Sequence, residues 1–272
     1  MYSLIATDLD GTLLNNKKRI PAQNKKAIQQ ALERGIHVCL CSGRSFESMF
    51  YFEEELGLLE EGRYGICFNG SIIYQTHDRA IISEAPLDLS VARDVVAALR
   101  PLQKHIMIYN RELLLAEEKT EWINEYLRRI RIPLNIIPSF EQYLMQLQNP
   151  VSKVIVVGDH ESLVKTKEKL DLVFAGRCNV FFSANELMEI TAPTATKGTA
   201  LTTLAKHLGI TMSEVIAIGD QCNDLDMLRM AGLGVAVANA AEEAKNAADY
   251  ITVSDNEAGA LWEVFEKFVI AN

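Results

Sequence analysis

Two carboxylates stand two residues apart in Asp8-Leu9-Asp10-Gly11-Thr12, and two more stand four apart in Gly219-Asp220-Gln221-Cys222-Asn223-Asp224. Each run follows an apolar stretch that reads as a strand, residues 2–7 and 214–218. If the first strand continues through its aspartates, alternation points both side chains to one side, about 7 Å apart along the chain. Like charges so placed require a cation. An all-oxygen set of Asp8, Asp10, Asp220 and Asp224 suits Mg2+, which needs few protein ligands and accepts phosphate as another. Positive partners come singly: Arg44 in Ser42-Gly43-Arg44, and Lys197 at the start of a helix whose backbone N–H groups also favour an anion. A metal, one lysine and hydroxyl or amide donors around a carboxylate fit phosphoryl transfer, in which charge on three equatorial oxygens must be neutralised. A carboxylate can itself attack phosphorus, giving an aspartyl-phosphate that water then hydrolyses.

The elements that must position these groups alternate in type. Residues 2–7, 36–41 and 64–68 read as apolar strands separated by helices at 21–34 and 45–56. The first helix opens on Pro21, carries Ala27, Ile28, Ala31 and Leu32 on one face, and stops at Gly35. The last third repeats the scheme with a helix at 198–208, strands at 214–218, 234–237 and 250–253, and helices at 224–231 and 257–268. This alternation predicts an α/β fold with a Rossmann-like, doubly wound, mostly parallel sheet. Ligands collect at the carboxyl ends of the strands in such sheets. Those ends carry Asp8 and Asp10, Ser42 and Arg44, Asn69-Gly70, and Asp220, Asn223 and Asp224. Over residues 83–189 the pattern shifts to shorter strands and several helices, which predicts an inserted α+β domain with antiparallel pairing. The expected division is 1–82, 83–189 and 190–272.

Composition narrows the function classes. With 49% of 272 residues hydrophobic the chain can bury a sizeable core, and a net charge of −9 gives no field for a polyanion, so nucleic acid is not expected as a partner. No apolar run reaches the 18 residues of a membrane span, and no basic segment leads an apolar one, so the expected place is the cytoplasm. Five cysteines form no paired framework, and Cys39-Leu40-Cys41 lacks the second ligand pair of a zinc site, so buried strand cysteines are expected. Arg128, Arg129 and Arg131 read as a solvated helix face, and Asn69-Gly70 as a hairpin turn as well as a site element.

The four motifs, in this order, resemble those of haloacid dehalogenase superfamily phosphatases, specifically the Cof-type hydrolases of subfamily IIB with a large α/β cap. D-x-D-G-T matches residues 8–12, S-G-R matches Ser42-Gly43-Arg44, K-G matches Lys197-Gly198, and G-D-x-x-N-D matches 219–224. The resemblance covers essentially the whole chain. It implies Asp8 as nucleophile and Mg2+ ligand, and Asp10 as acid and then base, with its backbone carbonyl on Mg2+. It implies Asp220 as the direct metal carboxylate, Asp224 as ligand or holder of a metal-bound water, and Asn223 as support on the phosphate side. Ser42 and Lys197 would hold the phosphoryl group, helped by N–H groups near Gly11, with Arg44 and Asn69 toward the substrate. Cys222 departs from the Glu, Gly or other small or polar residue common in relatives, and the acids around it disfavour a thiolate. The expected activity is Mg2+-dependent hydrolysis of a small phosphorylated metabolite, with a sugar phosphate as first candidate. A hexose phosphomutase and a receiver-like signalling protein are the alternatives; Asp10, a second acid that speeds phosphoaspartate hydrolysis, counts against the receiver.

Overall fold

The apolar runs become strands buried on both faces, and the helices between them cover the sheet. In the computed structural model, which describes residues 2–271 except 112, 131, 148 and 149, the first unit comprises the chain up to Glu84 and from Thr196 onward. Its first part is β1 (Leu4–Thr7), α1 (Ala22–Glu33), β2 (His37–Cys41), α2 (Phe46–Leu56), β3 (Tyr64–Cys67), β4 (Ile72–Gln75) and β5 (Ile81–Glu84). Six strands of this unit run parallel, and β4 and β5 extend the sheet antiparallel beyond β3. The Asn69-Gly70 turn is thus a hairpin, with Cys67 paired to Ile72.

The second unit is Ala85–Ala195. It contains α3 (Leu89–Leu99), β6 (His105–Asn110), β7 (Leu113–Ala116), α4 (Glu121–Ile130), β8 (Leu134–Ile136), α5 (Phe140–Gln146), β9 (Lys153–Val157), α6 (His160–Val173), β10 (Asn179–Ala184) and β11 (Leu187–Thr191). Its sheet runs β10-β11-β9-β6-β7-β8, antiparallel except for β7 beside β8. Alternate residues of β6, β9 and β11, such as Ile108, Val154 and Ile190, join Val95 of α3, Phe140 of α5 and Leu163 of α6 in one buried core. β11 bonds to β10 and β9 along its length, which keeps residues 190 and 191 in this sheet.

The chain then returns through α7 (Lys197–His207), β12 (Val215–Gly219), α8 (Leu225–Met230), β13 (Leu233–Ala236), α9 (Glu242–Ala247), β14 (Tyr250–Ile251) and α10 (Ala260–Phe265). The complete first sheet is β14-β13-β12-β1-β2-β3-β4-β5. From β1 the chain winds one way to β2 and β3, and from β12 it winds the other way to β13 and β14. The strand order therefore reverses between β1 and β12, where departing loops leave a crevice at the carboxyl ends. Four elements escape the sequence pattern: β5 is four residues long, β8 three, α5 seven and α9 six, too short for a period to show. Arg128 pairs with Glu121 on an exposed face, while Arg131 and the side chain of Arg129 lie outside the described residues. No described helix is long and apolar enough to cross a membrane.

Gly70 shows how closely β3 and α7 are fitted. Its φ is +96°, and a Cβ there would lie 2.1 Å from the Thr196 carbonyl oxygen, one residue before Lys197. Gly35 also has positive φ, +75°, but opens onto free space. Gly70→Ala should therefore cost at least about 2 kcal/mol more than Gly35→Ala, which carries only the backbone strain of about 1 kcal/mol. Urea midpoints at constant slope measure both; equal losses would remove the close approach as the cause.

Candidate active site

Lys197 is the first residue of α7, and its side chain is 0% exposed. The Thr196 hydroxyl caps the helix by accepting the Thr199 N–H at 3.2 Å. The Gly198 N–H is taken by Asp226 Oδ2 at 3.0 Å, so an internal carboxylate already uses the anion preference of this terminus. Lys197 Nζ donates to Asp8 Oδ1, beyond the end of β1, and to Asp224 Oδ1, both at 2.6 Å. Asp224 Oδ2 accepts the N–H groups of Asp220 and Gln221 at 2.9 and 3.0 Å, which curls the loop after β12 around its own carboxylate. Thr12 Oγ1 donates to Asp220 Oδ1 at 2.8 Å. Gly11 lies against the same aspartate; its φ is +89° and a Cβ would meet Asp220 Oδ2 at 2.5 Å.

One carboxylate oxygen each from buried Asp8, Asp220 and Asp224 lies within 4.8 Å of the others. Burial pushes the Asp8 carboxyl well up; Lys197 opposes this, and Asp224 and Asp220 reinforce it. Asp220 is raised by burial and then by Asp224. Burial alone would lower Lys197, but the attraction of Asp224 and Asp8 outweighs it, and the ammonium is held well above its ordinary range. Three buried carboxylates share one directly bonded ammonium, so the cluster keeps an excess of negative charge. Hard oxygen donors with uncompensated charge fit a divalent cation of the Mg2+ kind.

Asp10 sits apart from that cluster. β1 ends at Thr7, and Asp10 pairs with Leu14 in an isolated bridge, so strand alternation does not carry its carboxylate to the side of Asp8. Arg44 instead grips it with both ends of its fork, Nε to Oδ2 at 2.7 Å and Nη2 to Oδ1 at 2.8 Å, and Lys18 Nζ reaches Oδ1 at 2.7 Å. Burial would raise this carboxyl, but Arg44 and then Lys18 outweigh it and hold it well below the usual carboxylate range.

The ends of β2 and β3 interlock at the same edge. Ser42 is buried, its Oγ accepts the Arg44 N–H at 3.2 Å, and its carbonyl accepts the Asn69 N–H at 2.9 Å. Asn69 holds a left-handed conformation with φ +56°, and its Oδ1 accepts Asn223 Nδ2 at 3.0 Å. Four positions carry structure here that the sequence reading passed over: Lys18, Asp226, Asn239 and Asn256. Asn239 Nδ2 donates to the Gly11 carbonyl at 2.8 Å, its own Oδ1 accepts the Asn256 N–H at 2.9 Å, and Asn256 Nδ2 donates to the Leu14 carbonyl at 2.9 Å. Asn239 follows the parallel strand β13, so the strand-end rule that found Asp8 and Asp220 also reaches it. Cys222 is exposed, with its thiol pushed up by burial of the sulfur and by Glu243 and Asp224. Cys39 and Cys41 are buried with sulfurs 3.9 Å apart, and among the described residues they belong to no cluster of metal-ligating groups.

The charge pattern gives a pH dependence with a definite sign. Asp8 and Asp220 have folded pKa values above the unfolded ones, so their contribution to stability is full below about pH 4 and is lost as pH rises through the raised values. Asp10 acts oppositely and in a lower window, because its depressed pKa costs stability only as pH falls below about 4. With chelator present, the melting temperature should decline as pH climbs above about 4, and Asp8→Asn or Asp220→Asn should flatten the decline. Calorimetric scans at several pH values check this; a slope unchanged in both variants would remove these carboxyls as its source.

The model for haloacid dehalogenase-like hydrolases matches residues 5–265. The Bacillus subtilis (strain 168) protein YxeH is 32% identical over 98% of this chain and 98% of its own. The HMP-PP phosphatase of Serratia proteamaculans (strain 568) is 31% identical over 90% of this chain and 87% of its own. The crystal structure of a haloacid dehalogenase-like hydrolase from Bacteroides thetaiotaomicron superposes with a TM-score of 0.87 at 32% identity, covering 98% of this chain and 99% of that one. A match of this extent, over a sheet whose reversal point gathers the buried aspartates, shows that the chain is an enzyme and belongs to the haloacid dehalogenase-like hydrolases.

Proposed function

We propose that the chain is a Mg2+-dependent phosphatase of small phosphorylated metabolites, sugar phosphates first among them, working through a phosphorylated Asp8, with Ala85–Ala195 as its substrate-selecting cap. The observation that carries this reading is the Lys197 ammonium bonded at 2.6 Å to both Asp8 and Asp224 inside a buried three-carboxylate cluster. The phosphatase name of a relative 31% identical supports it.

Asp8, Asp220 and Asp224 would hold the Mg2+, with the Asp10 carbonyl as a further ligand. When bound, the ion supplies positive charge that lets a dianionic phosphoryl group approach an aspartate. With Lys197 on Asp8 Oδ1, Oδ2 would be the attacking oxygen. Attack forms an Asp8 O–P bond and breaks the bond from phosphorus to the leaving oxygen, to which Asp10 gives a proton. Water then attacks the phosphorus, Asp10 takes its proton, and inorganic phosphate departs with Asp8 restored. Ser42 and Lys197 steady the transferring group, and Asn223 with Asn69 supports its far side.

Phosphate release from a panel of sugar phosphates should require both Mg2+ and Asp8, with Asp8→Asn lowering kcat at least about 10³-fold. Asp10→Asn should behave differently with p-nitrophenyl phosphate, whose leaving group needs no proton. Nitrophenol should appear as a burst while mass spectrometry shows one phosphoryl group accumulating on the enzyme. Turnover in chelator, or undiminished turnover by Asp8→Asn, would overturn the proposal.

A further inference from the structure

Lys18 is a surface lysine in an enforced position. Its φ is +57°, a conformation that costs a residue with a side chain about 1 kcal/mol. The loop imposes it: Asn15 Oδ1 accepts the N–H groups of Lys17 and Arg19, both at 3.0 Å. The Asn15 N–H reaches the Arg19 carbonyl and the Lys18 N–H the Asn15 carbonyl, both at 2.9 Å. The far end of the chain anchors the loop, since Glu257 Oε1 accepts the Asn16 N–H at 2.7 Å and Asn256 holds the Leu14 carbonyl. Strain of this kind, held in place by surrounding bonds, points to a use for the side chain.

That side chain lies beside Arg44 on Asp10. One carboxylate between two cations leaves an excess positive charge at that spot; among the described residues neither cation forms a second salt bridge, and Asp8 attracts Arg44 from further off. The pair is open to solvent, with Lys18 58% and Arg44 27% exposed, whereas Lys197 is sealed inside. Two regions of opposite sign therefore adjoin, the buried acidic cluster around Asp8 and a positive clamp on the acid two residues further along.

We infer that Lys18, together with Arg44, selects substrates that carry a second anionic group, a phosphate or a carboxylate, beside the phosphoryl group that is removed. The inference rests on the phosphatase reading, in which Asp8, Ser42 and Lys197 take the transferring group and the Asp10 side faces the rest of the molecule. Lys18 acts here as a specificity-determining residue, and an orienting role on Asp10 alone would affect all substrates equally.

Binding tests it without turnover. Wild type should hold methylenediphosphonate more tightly than methylphosphonate in calorimetry. Lys18→Ala should weaken the former roughly tenfold and the latter less than about twofold, and Lys18→Arg should retain the preference. In turnover, the kcat/KM ratios of fructose 1,6-bisphosphate to fructose 6-phosphate and of 3-phosphoglycerate to glycerol 3-phosphate should fall by a similar factor, carried by KM. The first pair reads a second phosphate and the second pair a carboxylate. Equal losses on both members of each pair, or no preference in wild type, would overturn the inference. Release from none of the four esters, with the diphosphonate preference intact, would count against these sugar and glycerol phosphates as substrates and leave the Lys18 preference for a second anionic group standing.

Discussion

A fully buried ammonium, bonded at 2.6 Å to two aspartates, is the constraint on which the rest of this unit depends. Removing a lysine charge from water is tolerable only where carboxylates meet it in close geometry, and breaking one partner of such a pair costs about 3–5 kcal/mol. Asp8 follows β1, 189 positions from Lys197 in sequence, and Asp224 follows β12, so Lys197 reaches both because β1 and β12 lie side by side and α7 begins at one residue. The Thr196 cap, the Asp226 bond to the Gly198 N–H and the Gly70 backbone against Thr196 each fix that starting point. The doubly wound sheet is thus held in register at its reversal point by charge as well as by apolar packing.

Much of this was legible because strands buried on both faces read as unbroken apolar runs, which made their polar ends conspicuous. Asp8, Ser42, Asn69 and Asp220 all follow such runs, and Lys197-Gly198 stands at a helix start with in-phase leucines behind it. The partnership of Asp10 was not legible. Its geometry depends on where β1 stops and on a left-handed Lys18, and that turn is tied down by Asn256, 242 positions from Leu14. Local pattern carries no trace of a bond that long. Asp226 is hidden for another reason: a carboxylate in the first turn of a helix reads as a solvated face until the start of α7 is seen to lie against it.

The two aspartates of the first motif live in opposite surroundings. Burial, reinforced by Asp224 and Asp220, raises the pKa of Asp8 against the pull of Lys197, while Asp10 lies under Arg44 and Lys18, which hold its pKa down. The two acids thus have pKa values pushed in opposite directions, and in the sense opposite to the one that a nucleophilic Asp8 and a proton-donating Asp10 need. In the proposed reaction, neither group is ready as it stands. Asp8 attacks as the carboxylate, the form that its burial and the adjacent Asp224 and Asp220 disfavour until added positive charge offsets them. Asp10 must first carry a proton, the form that Arg44 and Lys18 disfavour until an arriving anion draws them away. The site without ligands is therefore biased against reaction at both aspartates, and the two partners of the reaction, cation and anionic substrate, are the agents that relieve each bias. This arrangement would tie the chemistry to the presence of both, with no moving part beyond the side chains of two cations.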